Sequence, residues 1–158
     1  MGEIAYKGKS ISDMNPYTYR SRYVGVIFQS YNLLPHLNAV ENVILSMDIS
    51  GKKIQNKRVK AQALLRSVGL GKELWDRRIL KLSGGEQQRV AIARTLAFDS
   101  DVILADEPTG NLDGKTQRAI MDIFMRLVKE QNKCIIIVTH SPEVAAMADM
   151  TYELSKNM

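Results

Sequence analysis

A chain of 158 residues, 45% hydrophobic and 25% charged, has the size and composition of one soluble globular domain with its own core. The net charge is +5, and a single cysteine, Cys134, excludes an intrachain disulfide framework and a cysteine-built metal site. No apolar run is long enough to span a bilayer and the start, MGEIAYKGKS, carries no apolar signal segment, so a cytoplasmic chain is expected, reaching a membrane only through a partner.

In chain order, residues 4–11 (IAYKGKSI) predict a short hairpin turning at Gly8. Residues 23–29 (YVGVIFQ) alternate Val24, Val26 and Phe28 and predict a strand, which gives way to polar residues 29–32 and to Pro35. Val40, Val43, Ile44 and Met47 recur at helical spacing behind Asn38 and Glu41, an N-cap pair. A second helix is expected over residues 57–68, with Val59, Ala63, Leu64 and Val68 on one face and Gly69 as its stop. Trp75 falls in a linking segment, and a third helix begins after Ser83 and runs to about residue 97.

Beyond residue 100 strands and helices alternate. DVILADEP and CIIIVTH are short apolar runs of the kind buried in a parallel sheet, with Cys134 as a small buried hydrophobe. Between them residues 116–131 are amphipathic, Ile120, Phe124, Leu127 and Val128 sharing a face. A last helix is expected over residues 142–149 and a final strand over 151–154 (TYEL). Strands, an all-helical middle, then β-α-β-α-β describe an α/β fold with a parallel sheet. Basic residues cluster at 52–60 (KKIQNKRVK) and 72–81. A solvated helical face accounts for them, with a nucleic-acid or membrane-facing surface as the alternative.

Asp106 and Glu107 close one predicted strand, His140 closes the next and Gln29 closes another. Ligands of open α/β sheets sit at the carboxyl ends of strands. There one carboxylate suits Mg²⁺ and another can orient water, so these four side chains point to phosphoryl transfer. The plainer reading is that Asp106 and Glu107 only cap the turn into Pro108. In LSGGEQQRVAIAR, residues 82–94, Ser83 and Glu86 form a capping box. A cap does not require Gly84 and Gly85 in succession, and glycine is unfavourable at a helix. The pair makes sense where something approaches the backbone closely, an anion being suited to a helix start.

These segments together resemble the nucleotide-binding subunit of an ABC transporter. LSGGEQQRVAIAR is similar to that family's signature motif, VILADEPTGNLD to its second Walker motif and D-loop, FQSYNLLPHLNAVENV to its Q-loop region and IIIVTHS to its switch-histidine segment. The wording ADEPTGNLD with YNLLPHL most resembles the lipoprotein-release and macrolide-export branch. The resemblance implies a partial P-loop NTPase sheet of the RecA-like kind with an inserted all-helical subdomain. Residues 1–38 would hold the first strands and Q-loop, 39–97 the helical subdomain, and 98–158 the RecA-like core. It implies ATP and Mg²⁺ as cofactors, with Gln29 at the metal and the attacking water, Asp106 organising the metal, Glu107 orienting water and His140 at the γ-phosphate. Ser83, Gly84, Gly85 and Gln87 would bind a nucleotide held by the facing subunit, and Asn111 and Asp113 would lie in the dimer interface. The implied partners are a second ATPase subunit and a transmembrane permease at the inner face of the membrane, with no nucleic acid. Export is the implied direction.

No G-x-x-x-x-G-K-[ST] occurs in these 158 residues. Gly110 with Gly114, Lys115 and Thr116 comes one residue short of that spacing and falls in the D-loop. In the family the P-loop and the adenine-stacking aromatic precede a segment like GEIAYKGKSI, so the resemblance implies that they lie ahead of Met1. It also implies a slightly short C-terminal end. Without that loop a chain of these residues is expected not to hydrolyse ATP alone. A catalytically silent ABC-fold module and a soluble nucleic-acid-associated ABC protein are the competing readings.

Overall fold

In a computed structural model describing residues 2–97 and 99–154, without the side chains of Ser21 and Arg22, three parallel strands carry the fold in the order β3, β4, β5. They are β3 (Val24–Ile27), β4 (Val102–Asp106) and β5 (Cys134–Val138), in register so that Val26 lies beside Leu104 and Leu104 beside Ile136. Phe98 and the last four residues of the TYELSKNM end lie outside the described residues. Ahead of the sheet, β1 (Ala5–Tyr6) and β2 (Lys9–Ser10) make the expected hairpin, with Lys7 and Gly8 both at positive φ.

The connection from β3 to β4 is the helical middle, α2 (Ala39–Ile49), α3 (Lys57–Ser67) and α4 (Gly84–Leu96), packed on one another. Asn38 and Glu41 cap α2 reciprocally, each bond 2.8 Å. Trp75 is buried in this cluster, its indole N–H donating to the Leu70 carbonyl at 3.1 Å. Further along, α5 (Gly114–Gln131) joins β4 to β5, and α6 (Pro142–Ala145) follows β5.

One sheet face is dry: Ile27, Ile103 and Ala105 are buried in the core. Gly25 permits this closeness, because a Cβ there would lie 2.4 Å from Cγ2 of Thr95 on α4. The opposite face carries Val26, Phe28, Leu104, Ile136 and Val138, all exposed, the last two at 52% and 55%. Among the described residues no strand pairs with the second edge of β5.

The structure corrects several expectations. Cys134 is exposed, and β5 is half-exposed rather than buried, because none of the described residues covers its outer face and outer edge. Residues 151–154 form no strand, and α6 stops at Ala145 instead of reaching residue 149. Helix α3 buries Ala61 and Leu65, leaving Val59 exposed, so its inner face is rotated from the expected one. Strand β3 ends at Ile27, and Gln29 stands in the turn beyond it. A further helix, α1 (Pro16–Arg22), was not expected. It starts at Asn15, whose side chain accepts from the Thr18 amide, with Pro16 at the first helical position.

Candidate nucleotide site

Glu107 follows β4 directly and sits in the left-handed region at φ +44°. Its amide continues the ladder by donating to the Val138 carbonyl at 2.9 Å, which aims the side chain at the loop after β5. There Oε1 accepts from the His140 amide at 2.9 Å and lies 2.7 Å from His140 Nδ1, while Oε2 accepts from Thr139 Oγ1 at 3.3 Å. A carboxylate only accepts, so the ring nitrogen facing it carries the proton. The Glu107 side chain is 15% exposed and that of His140 84%, which leaves Nε2 free toward solvent.

Gln29 reaches the same place from the end of β3. A Cβ on Gly110 would lie 3.2 Å from Gln29 Nε2 and 3.6 Å from Glu107 Cβ, so Gly110 leaves room for the Gln29 amide beside the Glu107 turn. Asp106 ends β4 with an exposed carboxylate and no hydrogen bond to a described residue. Gln29, Asp106, Glu107 and His140 are thus gathered at one sheet edge.

A second cluster forms at the start of α4. Ser83 Oγ accepts from the Glu86 amide at 3.4 Å and Glu86 Oε2 accepts from the Ser83 amide at 2.7 Å, the expected capping box. Neither glycine has free room for a side chain. A Cβ on Gly85 would lie 2.5 Å from Thr116 Cγ2, and one on Gly84 would lie 3.1 Å from the Tyr31 hydroxyl and 3.4 Å from Leu112. The groups that approach the two glycines in this structure are the chain's own side chains. Gln87 turns inward and donates to the Leu82 carbonyl at 2.9 Å.

Ser83, Gly84 and Gly85 line one pocket with Arg89, Asn111, Asp113 and Thr116. The starts of α4 and α5, the positive ends of two helix dipoles, therefore both border it, with the Glu86, Lys115 and Thr116 amides already taken by the capping side chains of Ser83 and Asp113. Asp113 caps α5, accepting from the Lys115 and Thr116 amides and from Thr116 Oγ1 at 2.6 Å, and these bonds hold its carboxyl below the usual range. Arg89 donates to the Val68 carbonyl. Burial, and then the nearby Arg126, push its guanidinium pKa down. Thr139, Arg89, Tyr31 and Gly110 were not singled out as parts of the site. Their roles depend on contacts between distant segments, which spacing does not carry.

A model of the ABC transporter domain matches residues 1–110. The chain is 43% identical over 155 residues to YclH of Bacillus subtilis, described as an uncharacterized ABC transporter ATP-binding protein, covering 98% of this chain and 69% of that one. The chain belongs to the ABC transporter ATP-binding family. It is also 47% identical over 135 residues to the lipoprotein-releasing system ATP-binding protein LolD of Rickettsia bellii, covering 85% of this chain and 61% of that protein. With the macrolide export ATP-binding/permease protein MacB of Syntrophobacter fumaroxidans the identity is 44% over 152 residues, 93% of this chain and 21% of that protein. Among solved structures, the fold superposes on the dimeric bacterial ABC transporter cassette MJ0796 with a TM-score of 0.82 at 35% identity, covering 94% of this chain and 67% of that one.

The chain thus spans about two thirds of the length of most of these relatives. By family it is an ABC-type ATPase, a family of ATP-binding proteins, and its α/β fold with a parallel sheet is that of ABC cassettes. For a divalent metal, the exposed Asp106 carboxylate and the Gln29 amide are suitable oxygen donors. The described residues hold no group of three or more His, Cys, Asp or Glu side chains placed to hold a metal ion.

Proposed function

We propose that this chain is part of the ATPase subunit of an exporter-type ABC transporter, working as a dimer with a separate permease at the inner face of the membrane. The observation that carries this reading is the convergence of Gln29, Glu107 and His140 at one sheet edge, with Asp106 beside them. Bound ATP with Mg²⁺ would supply the phosphoryl group and the charge that stabilises its transfer. Asp106 would hold the metal, directly or through water, and Gln29 would reach the same water. Glu107 would orient the attacking water and accept its proton, while His140, fixed at Nδ1, would offer its outer face to the γ-phosphate. The pocket at Ser83, Gly84 and Gly85 would close over a nucleotide held by the facing subunit, with Gln87 fixing that turn and Asn111 and Asp113 meeting the partner.

Three regions divide the work in this proposal: residues 1–38 with the Q-loop, the helical 39–97, and 98–158 with the acidic strand end and the histidine. The exposed face of β3, β4 and β5, with the free edge of β5, would receive the phosphate-cradling strand and helix that these residues do not contain. Among the described residues no helix is long and apolar enough to cross a membrane, which is consistent with a permease supplying the span. Export follows the similarity to LolD and MacB.

Steady-state phosphate release tests the chemistry. A polypeptide of these 158 residues is expected to release none above background, because its sequence contains no G-x-x-x-x-G-K-[ST] loop to cradle the nucleotide's phosphates. Turnover at ordinary transporter rates that Glu107→Gln abolishes would sink that part of the proposal.

A further inference from the structure

Tyr31 and Asn32, two and three residues after Gln29, lie consecutively in the left-handed region at φ +60° and +49°. Asparagine tolerates that conformation; for tyrosine it is a steric outlier. The turn is built locally by Tyr31 N–H donating to the Phe28 carbonyl at 3.0 Å and by Ser30 Oγ donating to Asn32 Oδ1 at 2.9 Å. It is clamped from a distance by Arg94, in the last turns of α4, which donates to the carbonyls of both strained residues, Nη2 reaching Tyr31 O at 2.8 Å. Arg94 has no carboxylate partner among the described residues, and burial alone pushes its pKa down. A desolvated guanidinium committed to two neutral carbonyls is a costly arrangement, and its fork is the geometry that two adjacent acceptors need.

The other end of Tyr31 meets the other end of the same helix. Its hydroxyl stands where a Cβ on Gly84 would come within 3.1 Å of it. Gly84 and Arg94 are ten residues apart, about 15 Å along a helix axis. The Arg94 side chain and the Tyr31 ring together cover that span.

We propose that Arg94 is a positioning residue. By locking the kink at Tyr31 and Asn32 it sets the Tyr31 ring as a strut between the loop that begins at Gln29 and the turn at Ser83, Gly84 and Gly85, so that these two elements move as one. Its significance rests on the reading of both elements as nucleotide-facing. The strut itself is measured without nucleotide, so the two fail separately.

The test is amide NMR of the full chain. In Arg94→Lys, whose shorter side chain ends in a point-charge ammonium without the planar fork that fits both carbonyls, the Gly84 and Gly85 signals are expected to move as the tyrosine ring leaves, while those of Gly51 and Gly8 stay. Tyr31→Leu is expected to move the same two signals, and combining it with Arg94→Lys to add nothing further. Unmoved Gly84 and Gly85 signals in a folded Arg94→Lys chain overturn the proposal, as do additive shifts in the combination. If Arg94→Lys does not fold, Asn32→Gly is added, since glycine accepts positive φ without a clamp. Restored folding with displaced Gly84 and Gly85 signals supports the strut. Folding with unmoved signals, or no restoration, assigns Arg94 to packing alone and overturns it.

Discussion

One oxygen of Glu107 faces both the amide and the imidazole Nδ1 of His140, at 2.9 and 2.7 Å. The residue just after β4 and the histidine in the loop after β5 are thereby a single unit, and Glu107 holds this pose with φ at +44°. Removing the side chain loses the hydrogen bonds in any variant, but only glycine also relieves the backbone. Glu107→Gly is therefore expected to be more stable than Glu107→Ala by about 1 kcal/mol, measured by urea unfolding. Equal stability, or alanine ahead, would show that the positive φ carries no strain.

The contact between Gly85 and Thr116 predicts a specific rescue. A methyl at residue 85 lands 2.5 Å from Thr116 Cγ2, and that side chain is held by its bond to Asp113. Gly85→Ala is expected to cost about 1–3 kcal/mol by overpacking, and Thr116→Ser, which deletes Cγ2 and keeps the hydroxyl, to recover most of it. A double variant as unstable as Gly85→Ala alone would mean the glycine is needed for another reason. Gly84→Ala, with its nearest atom at 3.1 Å, is expected to be the milder change.

Asp113 gives a pH dependence of known sign. Its folded carboxyl is held below the usual value by the Thr116 side chain and by the Thr116 and Lys115 amides. Its contribution to stability is therefore complete above the unfolded pKa of about 3.9 and is lost as pH falls through the lower folded value. Asp113→Asn keeps a capping oxygen that does not titrate. The difference in urea midpoint between wild type and this variant is expected to shrink between about pH 5 and pH 3. A constant difference would remove the carboxylate from the account.

We propose that the loop after Gln29, with the helical middle, forms the contact with the permease. Leu33 packs against the core, whereas Leu34 is exposed and its backbone is pinned by the buried Asn42, which accepts from the Leu34 amide at 2.9 Å. Cysteines at Asn32 or His36, both exposed, are expected to crosslink to a cytoplasmic helix of a cognate permease. Crosslinks confined to residues 117–126 on α5 would contradict this.

What the sequence made legible was local. Both capping boxes, the hairpin, the three strands and the long helix α5 follow from residues within a few positions of one another. Gln29, Asp106, Glu107 and His140 were readable as neighbours because a parallel sheet brings successive strand ends, and the turns just beyond them, to one edge. Exposure was not readable: Ile136 and Cys134 look buried by pattern, and only the three-dimensional arrangement reveals that nothing described covers their face. The short α1 was missed because seven residues hold too little apolar periodicity, although Asn15 and Pro16 were a usable start signal. Contacts such as Arg94 to Tyr31, 63 residues apart, leave no trace in spacing.

The central claim is that the turn at Ser83, Gly84 and Gly85 serves a nucleotide bound by a facing subunit. The direct measurement pairs this chain with an intact family subunit whose own signature serine is replaced by arginine, and follows ATP hydrolysis of the mixture. Hydrolysis is expected to reappear on mixing, since one composite site is then complete, and to vanish again with Ser83→Arg in this chain. A stable mixed dimer by light scattering with no hydrolysis, or hydrolysis that survives Ser83→Arg, would contradict it.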